Sequence, residues 1–117
     1  MSHFEKFMTQ AHAGSIDLNG AARENLVIET LHQNLENLID SVEQNIKTYT
    51  RAGNTIPKLG VYSKQIETSA AALGVIRNMM VIAGNDISLL KQVTLAAVAF
   101  SRNVVKLGDA IDQEMSK

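Results

Sequence analysis

The sequence predicts an all-α fold: an antiparallel up-down-up bundle of three long helices, with a short helix at the N-terminus. Apolar residues recur at alternating steps of three and four in three segments, 28–49, 59–83 and 90–111. This spacing places apolar side chains on one face of an α-helix, which must then pack against another element. One proline and seven glycines leave room for few turns. Short connections between long helices make successive helices antiparallel neighbours.

The composition is that of one folded domain, residues 1–117. The hydrophobic share is 45% and the charged share 20%, as expected for a globular chain. A net charge of −1 gives no electrostatic reason to expect nucleic acid or an anionic membrane as a partner. The absence of cysteine excludes disulfides, thiolate metal sites and a cysteine nucleophile.

The sequence also predicts a soluble protein without membrane insertion. The most apolar stretch, 70–84, contains Arg77 and is shorter than the roughly 20 residues that span a bilayer. The first residues lack a basic region followed by an apolar run, so they do not read as a signal peptide. We therefore expect a cytoplasmic location, with export by a route without a cleaved signal left open.

The N-terminal helix is predicted over residues 2–13, with Ser2 as its N-cap. Its apolar face consists of Phe4, Phe7, Met8 and Ala11. A helix of this length is marginal in water unless it docks on other structure. Residues 14–20 are predicted to break the chain, with Asp17 or Asn19 as the N-cap of the following helix.

The first long helix is predicted over residues 21–52, and Gly53 is expected to end it in a left-handed conformation. The second is predicted over 57–83, because Pro57 is tolerated in a first turn. The third is predicted over 87–114, with Asp86 or Ser88 as its N-cap. Its core line consists of Val93, Ala97, Phe100, Val104, Leu107 and Ile111.

One pair of residues has the spacing of a metal site. Glu29 and His32 match the Glu-x-x-His arrangement found in di-iron helical bundles. Such a centre needs a second pair of this kind and two further inward carboxylates, which the other apolar seams do not supply. The alternative interpretation places His32 at the edge of the apolar stripe. We therefore predict no metal ligand, no cofactor and no catalytic residue, and classify the chain as a non-enzyme.

Phosphate and nucleic-acid binding are not favoured by the motifs. The glycines are scattered singly, so no glycine-rich phosphate loop is present. The cluster formed by Lys47, Arg51, Lys58 and Lys64 is not interleaved with aromatic residues, whose share is 4%. A stacking platform for single strands is therefore absent.

The strongest functional signal is an excess of apolar residues over what one core requires. Outside the core lines, the second and third long helices carry Val75, Met79, Ile82, Leu95, Val98 and Val105. Residues 2–13 are too short to cover all of them, and monomers rarely expose large apolar patches. We expect these six residues to form the interaction site of a helical assembly module, a homo-oligomer. Two alternatives remain: a monomeric adaptor or secreted effector that captures a partner helix, and a metal-dependent bundle enzyme using Glu29 and His32.

Overall fold

The computed structural model describes residues 16–117, and the side chains of the first helix from residue 22 onward. These residues form three α-helices, which we call α1 (Ile16–Thr55), α2 (Ser63–Ala83) and α3 (Ile87–Met115). A 3₁₀ helix, Pro57–Tyr62, lies between α1 and α2. All three α-helices pack against one another. The predicted all-α class is confirmed, whereas the predicted helix over residues 2–13 lies outside the described residues.

α1 is longer at both ends than the predicted 21–52. Its backbone is helical from Ile16, so the predicted break does not extend into residues 16–20. The prediction that Gly53 adopts a left-handed conformation is also wrong, since among the described residues only Gly84 has a positive φ. The last carbonyls of α1 are satisfied in another way. Ile56 donates its N–H to Ala52 O at 2.8 Å, and the Thr55 hydroxyl donates to Arg51 O at 2.8 Å.

The segment predicted as one helix over 57–83 consists of two elements. Ile56 is extended, with φ −108° and ψ 107°, because a following proline disfavours the helical region. Pro57 then opens the 3₁₀ helix, which continues into α2 at Ser63. Leu59 is fully buried and fixes this short helix against the bundle.

The connection between α2 and α3 is a tight turn. Gly84 has φ 54°, a conformation that glycine adopts without the steric cost of a side chain. Asp86 is the N-cap of α3, and its carboxylate accepts a hydrogen bond from the Leu89 N–H at 3.0 Å. The prediction that Asp86 or Ser88 caps this helix is confirmed for Asp86.

The core follows the predicted apolar lines. On α3 every residue of the predicted line is buried except Phe100, which is half-buried. The main core cluster consists of Leu35, Ile39, Val42, Ile46, Leu73, Ile76, Ala83, Leu90, Val93, Ala97 and Val104. A smaller cluster consists of Leu59, Ile66, Leu107 and Ile111, with Tyr49 packed against it. The apolar residues that recur at steps of three and four along the three helices are the ones that form these two clusters.

Polar contacts tie the elements together around this core. Arg77 of α2 donates to the Glu43 carboxylate of α1 at 2.9 Å. At the end that carries the 3₁₀ helix, the Tyr62 hydroxyl donates to Ala110 O of α3 at 3.4 Å. These contacts fix which residues of neighbouring helices lie side by side.

Candidate interaction surface

The six residues predicted to form the interaction site are mostly exposed. Ile82 is 79% exposed, Leu95 72%, Val75 58%, Val105 55% and Met79 36%. Val98 is half-buried. The expectation of apolar side chains outside the core therefore corresponds to real exposed surface in the described part of the chain.

Met79 and Ile82 lie in a recess between α2 and α3. Leu89, which is 40% exposed, and Gln92 line the same recess from α3. Further along the same two helices, a second recess of about 390 Å³ is lined by Lys64, Gln65, Thr68, Ser69, Ala72, Phe100, Asn103 and Leu107. We call the flank formed by these two recesses the α2–α3 face.

Val75 lies on the α2–α3 face between the two recesses. It is seven residues after Thr68 and seven before Ile82, which line the two recesses. Seven residues are about two helical turns, so these three side chains share one line along α2. Ala72 and Met79 form a second line of the same spacing beside it. A surface with this spacing runs parallel to the helix axes and fits a helix laid along it.

Among the residues that the structure describes, none with a charge lies in the middle of the α2–α3 face. Lys64 stands at one end, and Asp86 follows the other end of α2. Glu67 lies about 180° round α2 from the core residue Ile76. Arg77 donates to the Glu43 carboxylate on the side of α2 that faces α1. Depletion of charge at the centre and polar groups at the rim are typical of protein–protein interfaces.

The structure does not bring the other three predicted residues to this face. At about 100° per residue, Leu95 lies about 160° round α3 from the buried Ala97, on the outer side. Val98 and Val105 lie about 90° from Ala97, on the flank of α3 opposite Phe100. That flank lies toward α1, since Gly108, which packs against Tyr49 of α1, is displaced about 20° from Ala97 in the same direction. The six predicted residues therefore do not form one surface. Val75, Met79 and Ile82 lie on the α2–α3 face, whereas Leu95, Val98 and Val105 lie on other sides of α3.

Sequence reasoning missed the α3 half of the α2–α3 face. Leu89 belongs to it but is not among the six predicted residues. The signal was present in the sequence, because Leu89, Ala96 and Asn103 follow one another at steps of seven. Which flank of α3 meets α2 depends on tertiary packing, so the spacing alone could not select this line over that of Val98 and Val105.

His32 has a structural contact at the α2–α3 turn. Its Nε2 donates to the Gly84 carbonyl oxygen at 2.6 Å, across 52 residues of sequence. Glu29, its partner in the predicted metal motif, is exposed. Within residues 16–117, no group of three or more histidine, cysteine, aspartate or glutamate side chains is placed to hold a metal ion.

A tyrosine packs closely between α1 and α3. The Tyr49 hydroxyl lies over Gly108, where no side chain separates the two helices. Burial raises the pKa of the Tyr49 phenol above 10.0, and the carboxylates of Asp112 and Asp109 raise it further. The close contact explains why a glycine stands at a buried position in the interior of α3.

Judged by length and composition, one segment of the described chain, Pro57–Ala83, could cross a membrane. Its most apolar window has a mean hydropathy of 1.3, and 22% of that window is buried within the protein. The segment includes Arg77, whose guanidinium lies 2.9 Å from the Glu43 carboxylate. α2 is therefore rich in apolar residues, and the other helices leave much of its apolar surface exposed.

No protein-family model, curated protein or solved structure matches the chain.

Proposed function

We propose that this protein is a non-enzymatic helical interaction module that self-associates through the α2–α3 face. The observation that carries the proposal is a continuous apolar strip without charge between its two ends. Val75, Met79 and Ile82 contribute to it from α2, and Leu89 from α3. The half-buried alanines Ala72 and Ala96 allow the backbone of another helix to approach closely.

The proposed bundle is antiparallel, with its helices running up, down and up. Three contacts support this arrangement: His32 with Gly84, Glu43 with Arg77, and Tyr62 with Ala110. Along α1, the residue number of the α2 partner falls as the residue number of α1 rises. Tyr62, the last residue before α2, contacts Ala110 near the end of α3, which is expected when α2 and α3 also run in opposite directions.

The energetics favour weak, concentration-dependent association. Full burial of a valine, leucine, isoleucine or methionine side chain is worth about 2 kcal/mol, so the exposed parts of the four apolar residues are worth about 4 kcal/mol. Two copies that bury the same face gain about 8 kcal/mol, against an association cost of roughly 4–15 kcal/mol. Each exposed side chain on the face therefore has a measurable effect on the dissociation constant.

The test compares two valine-to-glutamate substitutions. Val75→Glu changes the α2–α3 face, and Val105→Glu changes a valine of similar exposure on the opposite flank of α3. Val75→Glu removes two apolar contacts per dimer and buries two carboxylates, so it is expected to raise the dissociation constant more than about 30-fold. Sedimentation equilibrium measures this constant, and far-UV circular dichroism checks that helicity is kept.

The outcomes separate the possible interaction surfaces. Loss of association in Val75→Glu but not in Val105→Glu supports the proposal, and Met79→Glu is expected to act like Val75→Glu. Loss in Val105→Glu alone contradicts the choice of face. Association that neither substitution changes contradicts an apolar-face mechanism. Sedimentation with phosphatidylcholine vesicles that depends on Val75 would assign the face to a membrane instead.

The alternative is a monomeric adaptor that holds one helix of another protein along the same face. The seven-residue spacing of Thr68, Val75 and Ile82 favours it equally, because one long helix fits such a line. A constant monomer mass across the concentration series would select this alternative over self-association.

A further inference from the structure

We propose that the α2–α3 face binds a second copy of this chain in one particular register. In this arrangement α2 runs antiparallel to α2 of the partner subunit, with Val75 beside the twofold axis. The inference rests on the proposed self-association and adds the orientation and pairing of the helices.

The apolar line along α2 is symmetric about Val75. Thr68 and Ile82 lie at equal distances on either side of Val75, and all three belong to the same line of α2. A twofold interface is self-complementary, so each residue meets a fixed counterpart on the other copy. With Val75 at the axis, Thr68 lies next to Ile82 of the partner subunit, and the small residue leaves room for the larger one.

The two ends of the α2–α3 face carry opposite charges. Lys64 precedes the strip and Asp86 follows it, and each lies 11 residues from Val75. The antiparallel register brings Lys64 near Asp86 of the partner subunit at both ends of the interface. A parallel register would place like charges side by side, which is unfavourable. The charges therefore select the antiparallel orientation.

The area of the α2–α3 face is large enough for a specific but weak dimer. Residues 65–82 of α2 extend about 27 Å, and two adjacent helices present a width of about 20 Å. Each copy therefore contributes about 540 Å², or about 1,100 Å² for both. Specific interfaces bury more than about 1,000 Å² in total. The face meets this threshold only when both helices take part, so the dimer is expected to dissociate on dilution.

Engineered cysteines test the register, because the chain contains none of its own. A short bismaleimide should join two copies of Val75→Cys, whereas Val105→Cys serves as the control that is not joined. The double variant Thr68→Cys/Ile82→Cys should also be joined, and each of its single variants should not. The two positions are about 21 Å apart within one chain, so a short linker cannot bridge them internally.

A charge substitution tests the ends of the interface. Lys64→Glu places a carboxylate near Asp86 of the partner subunit and should raise the dissociation constant at least threefold at low salt. Adding Asp86→Asn, which keeps a good N-cap, should reverse most of that rise. Lys91→Glu lies on the other side of α3 and should leave the dissociation constant within twofold of the unmodified chain.

The results distinguish this inference from the proposed function. Cross-linking of Thr68→Cys alone or Ile82→Cys alone would overturn the antiparallel register, even if Val75→Glu abolishes association. An effect of Lys64→Glu that Asp86→Asn does not relieve would overturn the end pairing. A monomer at all concentrations would overturn both the inference and the self-association on which it rests.

Discussion

Replacement of Gly108 by alanine should destabilise the protein although it improves helix propensity. The added Cβ would overlap the Tyr49 hydroxyl and lie 2.9 Å from its Cζ, so the ring or α3 must move. Overpacking of a buried contact costs about 1–3 kcal/mol. The change from glycine to alanine inside a helix returns about 1 kcal/mol. The expected net loss in the free energy of unfolding is therefore about 0–2 kcal/mol.

Gly74 provides the matched control for this substitution. It lies in the interior of α2, it is exposed, and a Cβ there would meet nothing within 4 Å. Gly74→Ala should therefore stabilise the protein by about 1 kcal/mol. The two variants should differ by about 1–3 kcal/mol, or roughly 5–15 °C in Tm. Thermal unfolding followed by circular dichroism at low protein concentration measures this difference without a contribution from association.

Tyr49→Phe in the Gly108→Ala background tests the cause of the loss. Removing the hydroxyl eliminates the atom that the new Cβ would meet first, so part of the stability should return. If Gly108→Ala is as stable as Gly74→Ala, the close contact between α1 and α3 does not exist as described. The packing of Tyr49 would then have to be revised.

Three further predictions concern single contacts. Asp86→Ala should cost about 1 kcal/mol in urea unfolding through loss of the α3 N-cap, whereas Asp86→Asn should stay within a few tenths. His32→Ala should cost about 1 kcal/mol in the same assay, because it removes the bond to the Gly84 carbonyl; an unchanged stability would contradict that bond. Burial raises the folded-state pKa of Tyr49 above 10.0. Its contribution is therefore complete below pH 10 and lost as pH rises through the folded-state pKa, a loss that Tyr49→Phe should reduce in unfolding measured against pH.

The fold class could be predicted because it depends on local spacing. The steps that place Val93, Ala97 and Val104 on one line of α3 are set by the helical period alone, and the structure buries all three. The Asp86 cap could be predicted for the same reason. The end of α1 could not be predicted from the sequence, because glycine at position 53 permits a left-handed conformation without requiring one. Whether the helix continues depends on contacts with Ile56 and Thr55.

The candidate site could be predicted in part. Spacing identified which side chains the core does not use, and Val75 and Ile82 are indeed exposed. The spacing could not show which of these side chains share one surface, because that depends on which helix lies beside which flank. Val105 has an exposure similar to that of Val75 yet lies on the other flank of α3, toward α1. Grouping requires the rotation of each helix about its axis, and this rotation is determined only when the three helices pack.

The most direct test of the central claim is the solution mass of the chain against concentration. Sedimentation equilibrium from about 10 μM to 1 mM covers the weak range expected for the α2–α3 face. Self-association through this face predicts a rise from 12.7 kDa toward twice that mass, which Val75→Glu abolishes and Val105→Glu retains. A constant mass of 12.7 kDa for the unmodified chain would contradict self-association through this face.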